Sequence, residues 1–162
     1  MILDYLSSPV PLAVLAAAVI LAWPLGRLLR RGALGVILVL ALGLVFAATT
    51  TTYLPYYDSG GVHGYLTEFA DRAYLVRGFG STPEKLANIA LFVPLGLLGT
   101  LMWRRPVLVF AACVTLTFLI EAWQGFIGRG GDAVDVVHNS AGGLIGVLLV
   151  RAWTYFTAGD KD

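Results

Sequence analysis

The sequence predicts an all-α membrane protein, a bundle of five transmembrane helices that makes up a single membrane domain over residues 1–162. The chain is 58% hydrophobic and 13% charged, where a soluble domain is roughly 45–50% apolar and 25% charged. Its mean hydropathy is +0.81. Five apolar stretches approach the ~20 residues that a helix needs to cross ~30 Å of hydrocarbon. The composition also excludes several classes. A formal net charge of +1 offers no basic surface for nucleic acid. The single Cys113, midway through an apolar run, leaves neither a disulfide framework nor a cysteine-rich metal site.

The first span, Val10 to Leu28, follows Asp4 rather than a basic segment and is too long for the apolar region of a signal peptide, so it reads as a retained helix. Arg30-Arg31 separates it from the second, Ala33 to Thr52. The connection over residues 53–82 is too long for a simple turn. Within it Tyr65, Leu66, Phe69, Ala73 and Val76 recur at helical spacing, consistent with one short helix lying on the membrane surface; an irregular solvated loop stays open beside it. Ser81-Thr82-Pro83-Glu84 is a helix start for the third span, Pro83 to Trp103: a hydroxyl cap, a proline where the missing N–H costs nothing, and an acid at the positive end of the helix dipole. Pro94 within it removes one intrahelical hydrogen bond. Arg104-Arg105-Pro106 leads into the fourth span, Val107 to Phe126, and a glycine-rich turn into the fifth, Asp135 to Trp153. Arg27 with Arg30-Arg31, Arg104-Arg105, and Arg151 with Lys161 at the C-terminal end make seven of the eleven Lys and Arg residues, which by the positive-inside rule makes those ends cytoplasmic, with the N-terminus out and the C-terminus in. Trp23, Trp103 and Trp153 then fall at inner ends and Tyr53, Tyr56, Tyr57 and Trp123 at outer ones, as interfacial belts require.

The polar residues inside the spans are concentrated on the last three helices. Lys85 and Asn88 are three apart and share a helix face, as do Glu121 and Gln124, and Asp135 lies three and four residues before His138 and Asn139. At 1.5 Å rise per residue, Asn88 and Asn139 sit ~6–8 Å below the starts of their helices, and Glu121 lies ~8 Å inside the end of its own. Alternation of direction puts these three at one level on one side of the membrane. Asp135, Asn139, Gly142 and Gly146 fall within ~40° of one another at 100° per residue, so the polar pair heads a Gly-x-x-x-Gly packing seam. An acid at mid-bilayer costs ~2.5–3.5 kcal/mol on insertion scales. Glu121 therefore calls for a counter-charge, with Lys85 first and Arg129 second. Two readings remain: an inward-facing polar pocket near the outer leaflet, or an interhelical clasp that only fixes packing. Asp132, Asp135 and His138 lack the spacing of a dedicated metal site, and no metal or other cofactor is expected. His138 also reads as a helix-lining residue whose ring is satisfied.

The order Lys85-x-x-Asn88-x-x-Leu91-Phe92-x-Pro94-Leu95-Gly96, then Glu121-x-x-Gln124, then Arg129 before Asp132-x-x-Asp135-x-x-x-Asn139-x-x-Gly142-x-x-x-Gly146, resembles the VanZ-like family of small integral membrane proteins. The resemblance covers residues 83–151 and defines a three-helix core over residues 83–153; the first two helices carry no comparable signature. It implies a multi-pass protein of the bacterial plasma membrane with a role in the cell envelope and a link to resistance against the glycopeptide teicoplanin. On this reading the partner is a membrane lipid or lipid-linked envelope intermediate. Lys85 and Arg129 would meet its phosphate or carboxylate, and Asn88, Gln124, Asp132, His138 and Asn139 would hydrogen-bond it. Glu121 and Asp135 would orient the cations or, if the protein is an enzyme acting on a lipid head group, serve as its acid and base.

Overall fold

Helix formation follows directly from the apolar content: in hydrocarbon every backbone N–H and C=O must be met internally, and an α-helix does this within one segment. The computed structural model describes residues 9–49, 61–78, 80, 82–127 and 130–158. These form seven helices: α1 (Pro9–Leu28), α2 (Ala33–Thr49), α3 (Gly61–Glu68), α4 (Arg72–Gly78), α5 (Pro83–Trp103), α6 (Pro106–Phe126) and α7 (Ala133–Ala158). Among the described residues α1, α5, α6 and α7 are long and apolar enough to cross a membrane, and α2 is a shorter apolar helix of 17 residues. At 1.5 Å per residue α2 spans ~25 Å, a little less than the hydrocarbon thickness. The sequence expectation carried this helix to Thr52, and residues 50–52 lie outside the described set. The protein is a multi-pass, all-helical membrane protein.

The helices form two layers of unequal burial. α1 packs chiefly on α2 through small residues such as Ala18, Ala22 and Gly26, and turns Val19, Ile20, Trp23 and Leu28 outward. Exposed apolar side chains of this kind have hydrocarbon as their natural solvent. α2 in turn leans on α5 and α6, where Leu38, Val45, Phe92, Leu95, Leu98, Met102, Cys113 and Ile120 make the apolar core. The most extensive contact joins α5 to α7. A Cβ added to Gly142 would lie 2.1 Å from the carbonyl oxygen of Ile89, and one on Gly146 would lie 2.2 Å from that of Val93, so the two backbones approach as closely as glycine allows.

The residues between the second and third expected spans depart from the sequence reading. The single surface helix expected from Tyr65 to Val76 is two helices, α3 and α4, with residues 69–71 between them. The amides of Ala70 and Asp71 bond the carbonyls of Thr67 and Glu68 in a tight turn, and the Asp71 carboxylate accepts from the amide of Tyr74, restarting the helix. The side chain of Asp71 thereby competes with helix continuation, as short acidic side chains do. Nor does α3 lie wholly on the surface. Tyr65 is fully buried against α6, its ring edge-on to Phe69 at 5.2 Å and tilted against Phe118 at 5.6 Å between centroids, its hydroxyl donating to the Phe118 carbonyl at 3.3 Å.

Candidate functional site

The site is built at the end of the bundle where α5 and α7 begin and α6 finishes. Thr82 caps α5, its hydroxyl accepting from the amide of Lys85, with Pro83 and Glu84 in the first turn. Ser81, the other cap considered from sequence, lies outside the described residues.

The first turn of α7 is held by three carboxylates, which between them take three consecutive amides. Glu121 Oε2 accepts from the amide of Asp132 at 3.2 Å, Glu68 Oε2 from that of Ala133 at 2.9 Å, and Asp132 Oδ1 from that of Val134 at 2.7 Å. The opening amides of a helix have no intrahelical partner, and acceptors bearing negative charge suit both the orphan donors and the positive dipole end. Asp132 Oδ1 also accepts from the Tyr74 hydroxyl at 3.1 Å. Loss of solvent pushes the Glu68 carboxyl above the ordinary carboxylate range, with neighbouring Asp132 adding to the effect. Burial likewise drives the phenols of Tyr65 and Tyr74 well above the usual value, reinforced by the surrounding carboxylates. Gly131 is required where this turn meets α6: a Cβ there would lie 2.2 Å from the Glu121 carbonyl oxygen.

Below this ring, Glu121, His138 and Asn139 are buried, and Asn88 and Asp135 are half-buried with the Asn88 side chain hydrogen-bonded to the Asp135 carboxyl. Asn139 Nδ2 donates to the Thr117 hydroxyl on α6 at 2.8 Å, while Asn139 Oδ1 meets no hydrogen-bond donor among the described residues although the residue is only 3% exposed. Glu84 and His138 complete the electrostatic surroundings of Asp135.

Lys85 and Gln124 are engaged differently from the sequence expectation, and His138 takes the satisfied-ring alternative. Lys85 does not face Glu121; its ammonium donates to the carbonyl of Gly78 at the end of α4, the negative end of a helix dipole. Gln124 is buried but turns away from Asn139, its Nε2 donating to the Thr49 carbonyl of α2 at 3.3 Å. Two residues three apart on a helix differ by ~60° around its axis, enough for Glu121 to meet the start of α7 while Gln124 meets α2. His138 Nδ1 bonds the Val134 carbonyl of its own helix at 2.8 Å, which requires the proton on Nδ1 and ties the ring to its own backbone. Arg129 lies outside the described residues. Among the described residues no three His, Cys, Asp or Glu side chains converge as a metal would require. Glu68, Tyr65 and Tyr74 escape sequence reasoning as site residues because they belong to a segment that reads as a helix on the membrane surface; the one available signal is the spacing of Tyr65 and Phe69, which marks an apolar face without showing that it docks on α6.

The family model of VanZ/LLP1 matches residues 34–154, about three quarters of the chain. The match reaches back through α2, further than the motifs on the last three helices. No curated protein and no solved structure matches.

Proposed function

Because the chain belongs to the VanZ/LLP1 family and is built to cross a membrane several times, we propose that it is a cell-envelope protein of the bacterial plasma membrane whose outward end holds the polar head group of a lipid or lipid-linked envelope intermediate. The observation that carries this reading is the Asn139 side-chain oxygen, buried without a hydrogen-bond donor among the described residues, about one helical turn along α7 from the Asp135 that pairs with Asn88. A buried polar atom left unpaired costs ~1–3 kcal/mol, and a ligand donor would recover it. The surroundings are rich in acceptors, and the ammonium of Lys85 is committed to Gly78. A head group that brings hydroxyl or amine donors, such as a sugar or an amino alcohol, therefore fits Asn139, Asp135 and Asn88 better than a bare phosphate does. Arg129, which precedes α7 in the sequence, would be the cation for a phosphate attached to that group. The preponderance of arginine at the opposite end supports five spans with this end outside. Alkaline phosphatase and fluorescent-protein fusions at the C-terminus test that topology: cytoplasmic fluorescence is expected, and periplasmic phosphatase activity would overturn it.

The binding reading is tested by retention of envelope lipids on purified protein, together with teicoplanin susceptibility of cells producing it. Asp135→Asn and Asn139→Leu should lose the retained lipid, and any glycopeptide phenotype, while inserting normally; retention equal to the parent protein would refute the pocket. A second reading, that the polar residues only clamp the helices together, is favoured by the Glu121–Asp132, Asn139–Thr117 and Gln124–Thr49 hydrogen bonds, each of which joins two helices. It predicts that the same substitutions reduce folded yield and melting temperature and leave lipid retention per folded molecule unchanged.

A further inference from the structure

At the opposite end of the bundle, a cleft of about 600 Å³ opens between α2, α5 and α6. Its walls are apolar, contributed by leucines of all three helices together with Val109, Ala112 and Cys113, and its rim carries Arg31 and Arg105. The two arginines come from different turns, one before α2 and one before α6, and are exposed. Arginine at a membrane border has a general topological role. That role does not require two arginines from separate turns to border the same apolar cleft. Along α6 the lining runs from Arg105 to Leu116, a rise of ~16 Å, close to half of the ~30 Å hydrocarbon thickness. The cleft therefore reaches from head-group level to about the depth of one leaflet. Its volume lies in the range of ordinary ligand pockets, ~300–1,000 Å³.

We propose that this cleft is a binding site for an anionic phospholipid, with one acyl chain between α2, α5 and α6 and the phosphate between Arg31 and Arg105. Guanidinium groups suit phosphate because their planar donors bond two oxygens at once, and attraction of this kind is strongest where water is scarce. Trp103 lines the cleft beside the arginines, where an indole both shields the acyl chain and reports its presence. Asn88 and Gly99 are separated by ~16 Å along α5, so this site and the polar site at the other end share no side chains and stand or fall separately.

The test uses Trp103 as the probe. Replacing the three other tryptophans (Trp23→Phe, Trp123→Phe, Trp153→Phe) leaves its fluorescence alone. The full-length protein is reconstituted in phosphatidylcholine vesicles carrying the same low fraction of either brominated phosphatidylglycerol or brominated phosphatidylcholine. Bound anionic lipid should quench Trp103 severalfold more strongly per mole than the zwitterionic lipid, and with saturation. The preference should disappear in Arg31→Gln/Arg105→Gln and also in Ala112→Phe, which fills the cleft and keeps both arginines. Equal quenching by the two lipids in the single-tryptophan protein, with helicity by circular dichroism equal to that of the natural sequence, overturns the proposal; should that protein not fold, equal quenching of the natural sequence's total fluorescence overturns it in the same way. A preference that survives Ala112→Phe, with helicity unchanged by circular dichroism, overturns it as well, since it would mark attraction to the arginine surface and not occupancy of the cleft.

Discussion

Replacing Gly142 by alanine is the sharpest perturbation of the α5–α7 seam. The added methyl would lie 2.1 Å from the Ile89 carbonyl oxygen, 1.3 Å short of the 3.4 Å at which ordinary contact begins. The obstacle is backbone within a helix, so no side-chain rotation relieves it, and the two helices must separate by about that distance. A gap of ~0.5–1 Å already forfeits a quarter to a half of the dispersion well for the atoms that face it, and the loss is repeated along the seam. Overpacking of this kind costs ~1–3 kcal/mol, and the rigid obstacle argues for the upper end. The better helix propensity of alanine returns ~1 kcal/mol, leaving a net loss of ~2 kcal/mol. Gly146→Ala, whose methyl would lie 2.2 Å from the Val93 carbonyl oxygen, should cost a similar amount. The double variant should cost less than the two together, because a single separation relieves both clashes. Unfolding in detergent micelles by heat or denaturing detergent measures this, with Gly80→Ala as the neutral control because nothing lies within 4 Å of the methyl it would add. Unchanged stability in Gly142→Ala, or strict additivity in the double variant, would refute the close approach. Displacement of α7 one turn from Asn139 should also weaken head-group retention.

Thr117→Val leaves the Asn139 amide without its acceptor and should destabilise the fold by ~1–3 kcal/mol; adding Asn139→Leu should recover part of that loss in a double-mutant cycle, and additivity of the two would show that the bond contributes nothing. Asp132→Ala removes the acceptor for the Val134 amide and for the Tyr74 hydroxyl, with an expected cost of ~1–2 kcal/mol, whereas Asp132→Asn retains an oxygen acceptor and should cost less by the same unfolding assay. The Glu68 carboxyl titrates above its ordinary range because burial disfavours its charged form. The folded state thus holds that proton more tightly than the unfolded state, so the associated stability is fully present below the ordinary carboxylate value of ~4.3 and is lost as pH rises through the higher folded value. Glu68→Gln should flatten this part of the profile of melting temperature against pH, and an unaltered slope would refute the assignment.

How much of this was legible in the sequence depends on whether the signal was periodic or tertiary. The long apolar runs gave α1, α5, α6 and α7 almost residue for residue, because a helix is the solution hydrocarbon imposes on a single uninterrupted chain. The spacing Asp135, Asn139, Gly142, Gly146 likewise placed a polar pair above a small-residue seam, since residues three and four apart share one helical face. Partner choice was not legible. Lys85 and Glu121 occupy similar depths, so depth alone made them a pair, yet the carbonyl end of α4 lies nearer to the ammonium and takes it. Gln124 shows the same limit: two residues three apart on α6 share a face broad enough to address both α7 and α2.

The carboxylate ring at the start of α7 narrows the division of labour among the polar residues. A helix that begins at the membrane border exposes several orphan amides, and here Glu121 and Glu68 reach in from α6 and α3 while Asp132 serves its own helix. These acids are occupied with folding whether or not a ligand is present, and α3, which reads from sequence as part of a surface helix, becomes the element that closes this end. Asn88, Asp135 and Asn139 are placed differently: the first two are half-buried and the oxygen of the third meets no donor among the described residues. A carboxylate accepts up to about four hydrogen bonds, so the contact with Asn88 leaves Asp135 capacity for a ligand. Substitutions should therefore fall into two groups. Glu68→Ala and Asp132→Ala should lower the melting temperature and reduce lipid retention only through loss of folded protein, while Asn88→Ala and Asp135→Asn should lower retention per folded molecule with a much smaller change in melting. If all four variants move stability and retention in constant proportion, the polar end of the bundle is a clamp and nothing more.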